Sequence, residues 1–302
     1  MRITGSWVAI PTPFNDDGTT NFDGFKSLIN FHKIHQTNGL LVLGSAGEAS
    51  MLTKKEKQEI IEFVTDYSRD KIPVLVGTSC SNTSETIAMT KFAQKCKAKT
   101  AVMVVPPYIK PTQEDIYIFF KEVASAVDIP ISIYNNPTRV GVNIKPETTI
   151  RLAKIPNIIA LKEAMPDVSQ ILKIKREVGD SLDILTCDAP LYSIILPNLA
   201  FGGSGVTSIT GNLAPEEFAQ ISKPWDNFND VIKSRELVFK FYELMEICYS
   251  VTNPVVIKAG LDLLGLPGGK PRLPLHELNQ EKTIKLKEIM EKLGIFKKYK
   301  VE

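Results

Sequence analysis

The residue best suited to chemistry is Lys162, which ends the apolar, Ile-rich run 158–161. Such a run is typical of a buried strand. An ammonium group in apolar surroundings is unfavourable unless its pKa falls, and a neutral amine is a nucleophile. Lys162 is therefore a candidate for forming an imine with a carbonyl substrate. The structural alternative is a lysine that has passed the end of its strand and is solvated or ion-paired.

Other polar groups follow other apolar runs in the same way. Tyr134 ends one run and is followed closely by Arg139, while the glycine-containing segment 44–48 follows another. A tyrosine can transfer protons, and an arginine can bind a carboxylate bidentately. Ser45 and the free amides of a tight turn can hold the carboxylate of a keto acid. Taken singly, each residue also has an ordinary role, as a core aromatic, a surface cation or a turn.

Alternating strands and helices must position these groups. Short apolar runs alternate with amphipathic stretches, and the runs are spaced by roughly 25–35 residues, the length of one strand–loop–helix unit. Eight consecutive units in about 220 residues predict an α/β fold, a (β/α)8 barrel. A doubly wound open sheet is the alternative, but no GxGxxG turn supports it. The predicted strands are 7–10, 40–43, 73–76, 101–105, 131–134, 158–162, 182–185 and 205–209.

Helical signals fill the segments between the strands and the end of the chain. Thr53 and Glu56 form a capping-box pattern that predicts a helix start. Beyond about residue 215 the strand pattern ends. The sequence therefore predicts a barrel domain over 1–224 and a C-terminal helical appendage over 225–302. The predicted helices are 23–35, 53–64, 83–96, 112–127, 146–154, 225–249, 253–264 and 278–293.

In a (β/α)8 barrel, the carboxyl ends of the strands meet at one mouth. This rule brings together the groups that follow the individual strands, which otherwise lie far apart in sequence. One mouth would gather a lysine, tyrosines, an arginine, hydroxyl groups and a thiol. The residues that follow or end strands in this way are Ser45, Ala46, Tyr108, Tyr134, Arg139, Lys162, Cys187 and Thr207.

Three segments, 44–48, 134–141 and 161–164, resemble the signatures of the dihydrodipicolinate synthase / N-acetylneuraminate lyase family. The resemblance extends over nearly the whole chain. It implies a class I lyase that forms a covalent imine with pyruvate, on a (β/α)8 barrel and without a separate cofactor. It also implies a homotetramer, a dimer of dimers.

The resemblance carries roles to matching positions. Lys162 matches the imine-forming lysine, and Tyr134 matches the proton-transferring tyrosine. Ser45 matches the hydroxyl that links Tyr134 to a second tyrosine, here Tyr108, which reaches across from a partner subunit. Arg139 matches the arginine that receives the carboxylate of aspartate semialdehyde, and it favours the synthase branch over the sugar-acid branches.

Several positions depart from the family pattern around the substrates. Ala46 stands where a hydroxyl residue is usual, which removes one hydrogen bond to the keto acid, a net loss of roughly 0.5–1.5 kcal/mol. Cys187 and Ala189 replace the usual glycine and aspartate. Thr207 occupies the position whose backbone carbonyl faces the keto acid, so its side chain is less constrained.

These departures leave imine formation in place but leave the second substrate open. We expect condensation of pyruvate with aspartate semialdehyde. The alternative is a lyase or dehydratase for a sugar acid, of the N-acetylneuraminate or 2-keto-3-deoxy acid type. A non-catalytic barrel that binds a keto acid is a third hypothesis, supported only by Ala46.

The resemblance also bears on regulation. Lysine-inhibited members bind lysine between subunits, often with histidine, asparagine and tyrosine side chains. The matching positions here carry Lys54, Lys57, Ser81 and Pro107, with only Glu85 retained. Two cations disfavour a cationic effector. We therefore expect weak or absent inhibition by lysine.

Composition narrows the remaining function classes. The net charge is +2, and no basic stripe interleaved with aromatics indicates nucleic-acid binding. The four cysteines form no CxxC pair, and only two of the three histidines lie near each other, so no metal site is expected. No run reaches the ~18 apolar residues of a membrane span. Without a signal-peptide pattern, we expect a cytoplasmic protein.

Overall fold

The eight apolar runs form eight parallel strands that close into a barrel in sequential order, β1 pairing with β8. The computed structural model describes residues 2–188 and 194–301. The predicted (β/α)8 barrel is confirmed, and each strand end lies within two residues of its predicted place. The strands are β1 Gly5–Ala9, β2 Gly39–Val42, β3 Val74–Gly77, β4 Thr100–Val104, β5 Ile131–Asn135, β6 Ile158–Glu163, β7 Asp183–Cys187 and β8 Gly205–Ser208.

The register of the barrel places predicted site residues side by side. Tyr134 on β5 is the register partner of Lys162 on β6, and Cys187 on β7 is the partner of Thr207 on β8. Register partners on neighbouring strands share a face of the sheet. Four of the predicted site residues therefore lie on adjacent strands at the carboxyl end of the barrel.

The helices between the strands begin at the signals that the sequence carries. Thr53 and Glu56 form a complete capping box at the start of α2, and Thr112 with Asp115 form another at α4. The helices of the barrel are α1 Phe22–Ile34, α2 Lys54–Ser68, α3 Thr83–Lys95, α4 Gln113–Ser125, α5 Pro137–Val140, α6 Pro146–Leu152, α7 Val168–Val178, α8 Ile195–Ala200 and α9 Pro215–Ile221.

The C-terminal appendage is helical, as predicted, but its first helix is divided. The single helix expected over 225–249 breaks at Phe241, whose backbone leaves helical geometry at φ −95° and ψ 8° while its ring packs in the core. Tertiary burial of one aromatic ring thus overrides the helical periodicity. The appendage consists of α10 Phe228–Lys240, α11 Tyr242–Cys248, α12 Val255–Leu263, α13 Gln280–Lys292 and α14 Ile295–Tyr299.

The C-terminal helices pack against the barrel through one continuous hydrophobic cluster. Phe241, Leu261 and Met290 belong to the same buried cluster as Trp7 of β1 and Phe218 of α9. A division of the chain at about residue 224 stays a prediction. Within the described ranges, no helix has the length and apolar content that a membrane crossing requires.

A buried ion pair joins α12 to the loop after β2. Lys258 Nζ lies 2.7 Å from Glu48 Oε1, and the two side chains are 2% and 0% exposed. Lys258 also donates to the carbonyl oxygen of Thr12 at 2.9 Å, and Glu48 Oε2 accepts from the backbone N–H of Arg272 at 2.8 Å. Because Glu48 ends the segment 44–48, the appendage holds one of the predicted site loops.

Candidate active site

A cavity of about 320 Å³ opens at the carboxyl ends of the strands. It collects six of the eight predicted site residues; Ala46 and Tyr108 are not part of its wall. The remaining wall comes from the end of β1, from the short helix α5 and the residue before it, from the residue after β8, and from the segment between α11 and α12. The lining residues are Ala9, Ser45, Tyr134, Asn136, Thr138, Arg139, Lys162, Cys187, Thr207, Ile209, Tyr249, Val251, Thr252 and Asn253.

Lys162 lies at the base of the cavity and is 7% exposed. Its Nζ lies 4.2 Å from the centre of the Tyr134 ring. Burial alone would lower the pKa of Lys162. The negative charges that Tyr134, Cys187 and Asp188 carry when ionised oppose that effect and raise the pKa above its ordinary value of 10.5. Burial therefore does not decide this pKa alone, because neighbours outside β6 oppose its effect.

Tyr134 is buried beside the lysine. Burial raises the pKa of Tyr134 above its ordinary value, so the phenol keeps its proton at neutral pH. Its hydroxyl oxygen accepts a hydrogen bond from Nδ2 of Asn136 at 2.7 Å. The group facing Lys162 is thus a neutral phenol, which can donate a proton to a leaving hydroxyl group.

Cys187 lines the cavity together with Lys162, and the next residue, Asp188, is buried. Burial raises the pKa of the Cys187 thiol to about 11, so this residue is an uncharged thiol and not a nucleophilic thiolate. Asp188 is fully buried and accepts from the Tyr249 hydroxyl at 2.5 Å and from the backbone N–H of Thr210 at 3.0 Å. Its carboxylate supplies the negative charge that favours an ammonium at Lys162.

Two backbone N–H groups in the loop after β2 have no protein partner among the described residues. The backbone N–H groups of Gly47 and Glu48 bond within the turn, to Gly44 and Ser45. Neither Ser45 nor Ala46 donates its backbone N–H to another residue within the described ranges. Ser45 lines the cavity, whereas the Ala46 methyl group is buried in the core. The loop therefore offers a hydroxyl and free amides to an anion.

Arg139 lies on α5 at the rim of the cavity and is exposed. It forms no ion pair with any residue that the structure describes. A free guanidinium at the rim can bind the carboxylate of a substrate whose reacting end points down toward Lys162. The exposed Arg139 and the buried Lys162 line the same cavity and thus suit two different substrate groups.

Tyr108 does not reach the cavity of its own chain. Its side chain is 94% exposed, and its backbone adopts a left-handed conformation at φ 78°. Tyr108 is therefore absent from the cavity that Tyr134 and Ser45 line. Ala189, the other departure from the family pattern, lies outside the described residues.

The residues expected to discourage lysine binding lie together. Burial raises the pKa of the Cys80 thiol, and the charges of Lys57, Glu85 and Lys54 act on the same pKa. Ser81, next along the chain, is exposed. Two cations and one carboxylate thus share this surface.

Several lining residues were not predicted from the sequence. Asn136 and Thr138 lie within the motif that contains Tyr134 and Arg139, and their place directly after a strand was the signal that could have identified them. The segment that contributes Tyr249, Val251, Thr252 and Asn253 follows a C-terminal helix. No barrel rule directs such a segment to the mouth.

The fold and the cavity together define a (β/α)8-barrel protein with a buried lysine–tyrosine pair at the carboxyl end of its strands. The model of the dihydrodipicolinate synthetase family matches residues 2–293. The chain belongs to this family, which confirms the resemblance seen in its motifs.

Individual relatives agree over almost the full length. The 4-hydroxy-tetrahydrodipicolinate synthase of Thermodesulfovibrio yellowstonii is 38% identical over 293 residues, covering 97% of this chain and 99% of the relative. The crystal structure of dihydrodipicolinate synthase from Aquifex aeolicus is 35% identical, with a TM-score of 0.90 and coverage of 97% and 99%. The enzyme from Cyanidioschyzon merolae, solved with lysine bound, is 30% identical, with a TM-score of 0.92 and coverage of 98% and 100%.

Proposed function

We propose that this protein is a 4-hydroxy-tetrahydrodipicolinate synthase, a lyase of lysine biosynthesis that condenses pyruvate with L-aspartate 4-semialdehyde. One observation carries the proposal: Lys162 Nζ lies 4.2 Å from the Tyr134 ring, at the base of a cavity with an unpaired Arg139 at its rim. The names of the relatives give the reaction, and the cavity supplies groups suited to each substrate.

The first half of the reaction forms the imine. Lys162 loses a proton, and its nitrogen attacks C2 of pyruvate, forming an N–C bond while the carbonyl oxygen takes up a proton. Tyr134 donates a proton to the resulting hydroxyl group, the C–O bond breaks, and water leaves. Ser45 and the free amides of the 44–48 loop hold the pyruvate carboxylate meanwhile.

The second half forms the new carbon–carbon bond. Loss of a proton from C3 of the imine gives an enamine, whose C3 attacks the aldehyde carbon of aspartate semialdehyde. The aldehyde oxygen takes up a proton. The amine of the second substrate then attacks C2, closes the ring and releases the Lys162 amine. Arg139 binds the carboxylate of the semialdehyde and so directs its aldehyde toward the base of the cavity.

The covalent imine makes a separate cofactor unnecessary, because the protonated imine nitrogen withdraws electrons from C3. We also propose a homotetramer, in which Tyr108 of one subunit approaches Ser45 and Tyr134 of another. The exposure and left-handed backbone of Tyr108 support this arrangement. The cytoplasmic location expected from the sequence stays a prediction.

Steady-state kinetics with two sets of substrates tests the proposal. We expect turnover of pyruvate with aspartate semialdehyde, and no cleavage of N-acetylneuraminate or of a 2-keto-3-deoxy sugar acid. Turnover of a sugar acid without turnover of aspartate semialdehyde would assign the protein to the other branch. Absence of turnover with either set would favour a barrel that binds a keto acid without reacting.

A further inference from the structure

Asn136 occupies a helix-capping position but does not cap. It precedes α5, where an asparagine side chain ordinarily accepts a hydrogen bond from a backbone N–H of the first turn. Here the Asn136 side chain makes no such bond to the helix. The residue is nonetheless only 9% exposed and lines the cavity. Its amide group is therefore engaged elsewhere.

Both ends of the Asn136 amide have partners. Oδ1 accepts from the Thr138 hydroxyl at 2.7 Å, and Nδ2 donates to the Tyr134 hydroxyl oxygen at 2.7 Å. An NH₂ group donates and never accepts, so the phenol oxygen is the acceptor in this bond. The Tyr134 proton consequently stays available for a partner inside the cavity, either the Cys187 sulfur, with which Tyr134 forms a hydrogen bond, or the atoms attached to Lys162.

We infer that Asn136 is a positioning residue, which holds the Tyr134 oxygen by its amide group and so aims the phenol proton at the atoms attached to Lys162. Thr138 fixes the orientation of the amide by occupying its oxygen. The same donor favours a phenolate once the proton has left, and it works against the rise in the pKa of Tyr134 that burial causes. This inference rests on the proposed imine chemistry. It extends that chemistry to Thr138 of α5 and to Asn136, the residue before α5.

Exchange of the pyruvate methyl protons with deuterated water isolates this role, because it needs imine and enamine formation but no second substrate. Proton NMR follows the loss of the methyl signal. We expect Asn136→Ala and Asn136→Asp to slow exchange about tenfold, equivalent to about 1.4 kcal/mol in the barrier. Asp has the size of Asn but cannot donate, so it tests the donor itself if the Ala variant fails to fold.

Endpoint reduction of the imine with borohydride separates positioning from a loss of structure. We expect the Asn136 variants to reach the same final labelling of Lys162 as the wild type, since a proton donor changes the rate and not the equilibrium. We expect Thr138→Val to slow exchange and Thr138→Ser, which keeps the hydroxyl, to restore it relative to the valine variant.

A second Asn–Tyr pair provides the matched control. Asn30 Nδ2 donates to the Tyr67 hydroxyl at 3.0 Å between α1 and α2, and neither residue lines the cavity. Asn30→Ala should exchange pyruvate protons at the wild-type rate. Wild-type exchange in both Asn136 variants would overturn the inference and leave the proposed function standing. Absence of exchange and of labelling in the wild type would overturn the proposed function itself, and the inference with it.

Discussion

Breaking the buried ion pair between Lys258 and Glu48 should both destabilise the protein and weaken pyruvate binding. Lys258→Met keeps the aliphatic stem and removes the charge. Glu48 then loses its ion-pair partner, although its side chain is fully buried. Removing one member of a buried pair costs about 3–5 kcal/mol, because the other charge stays desolvated. Against a total stability of about 5–15 kcal/mol, this is a large fraction.

Urea unfolding followed by circular dichroism measures the loss. We expect Lys258→Met to lower the free energy of unfolding by about 3–5 kcal/mol. The exposed pair between Lys292 and Glu243, at 2.9 Å, supplies the control. Lys292→Met should cost less than about 1 kcal/mol, since both partners are solvated. Because Glu48 closes the 44–48 loop, the KM for pyruvate should also rise in Lys258→Met and stay unchanged in Lys292→Met.

A double variant sharpens the comparison. Combining Lys258→Met with Glu48→Gln removes both charges, so it should be more stable than Lys258→Met alone. Equal losses in Lys258→Met and Lys292→Met would refute the reasoning, as would a double variant less stable than Lys258→Met. Either result would mean that the buried carboxylate is not held by its cation.

Three further expectations concern the substrates and the effector. Arg139→Ala should raise the KM for aspartate semialdehyde about 10- to 100-fold, because a charge-assisted hydrogen bond is lost. Labelling of Lys162 by pyruvate should stay intact. Equal KM values for the variant and the wild type would exclude Arg139 from substrate binding. Because the pKa of Lys162 is raised, the fraction of Lys162 present as the neutral amine increases with pH. The rate of imine trapping should therefore rise up to about tenfold per pH unit from neutral to alkaline pH. A rate that does not change with pH would contradict this. Lysine should not inhibit in steady-state assays, given the cations at Lys54 and Lys57, and half-inhibition at submillimolar lysine would refute that expectation.

The barrel was predictable because each strand is a continuous apolar run and each intervening segment has helical periodicity. Part of the site at the carboxyl ends of the strands was also predictable. Strand order and register place Tyr134 beside Lys162, and neither depends on side-chain packing. Both rest on local pattern and on one general rule of barrel topology.

Features that depend on contacts between distant segments were not predictable. The pKa of Lys162 depends on Tyr134, Cys187 and Asp188, which lie outside β6, and the wall near Tyr249 comes from the appendage. The break in the helix at Phe241 accompanies the burial of its ring, and helical periodicity does not predict such a break. Each of these is decided by tertiary packing.

The central claim is that Lys162 forms an imine with pyruvate, and borohydride reduction followed by peptide mass spectrometry tests it most directly. We expect pyruvate and borohydride together to add the mass of reduced pyruvate to the peptide containing Lys162, and Lys162→Ala to abolish the label. Labelling of a different lysine, or no label in the wild-type protein, would contradict the account.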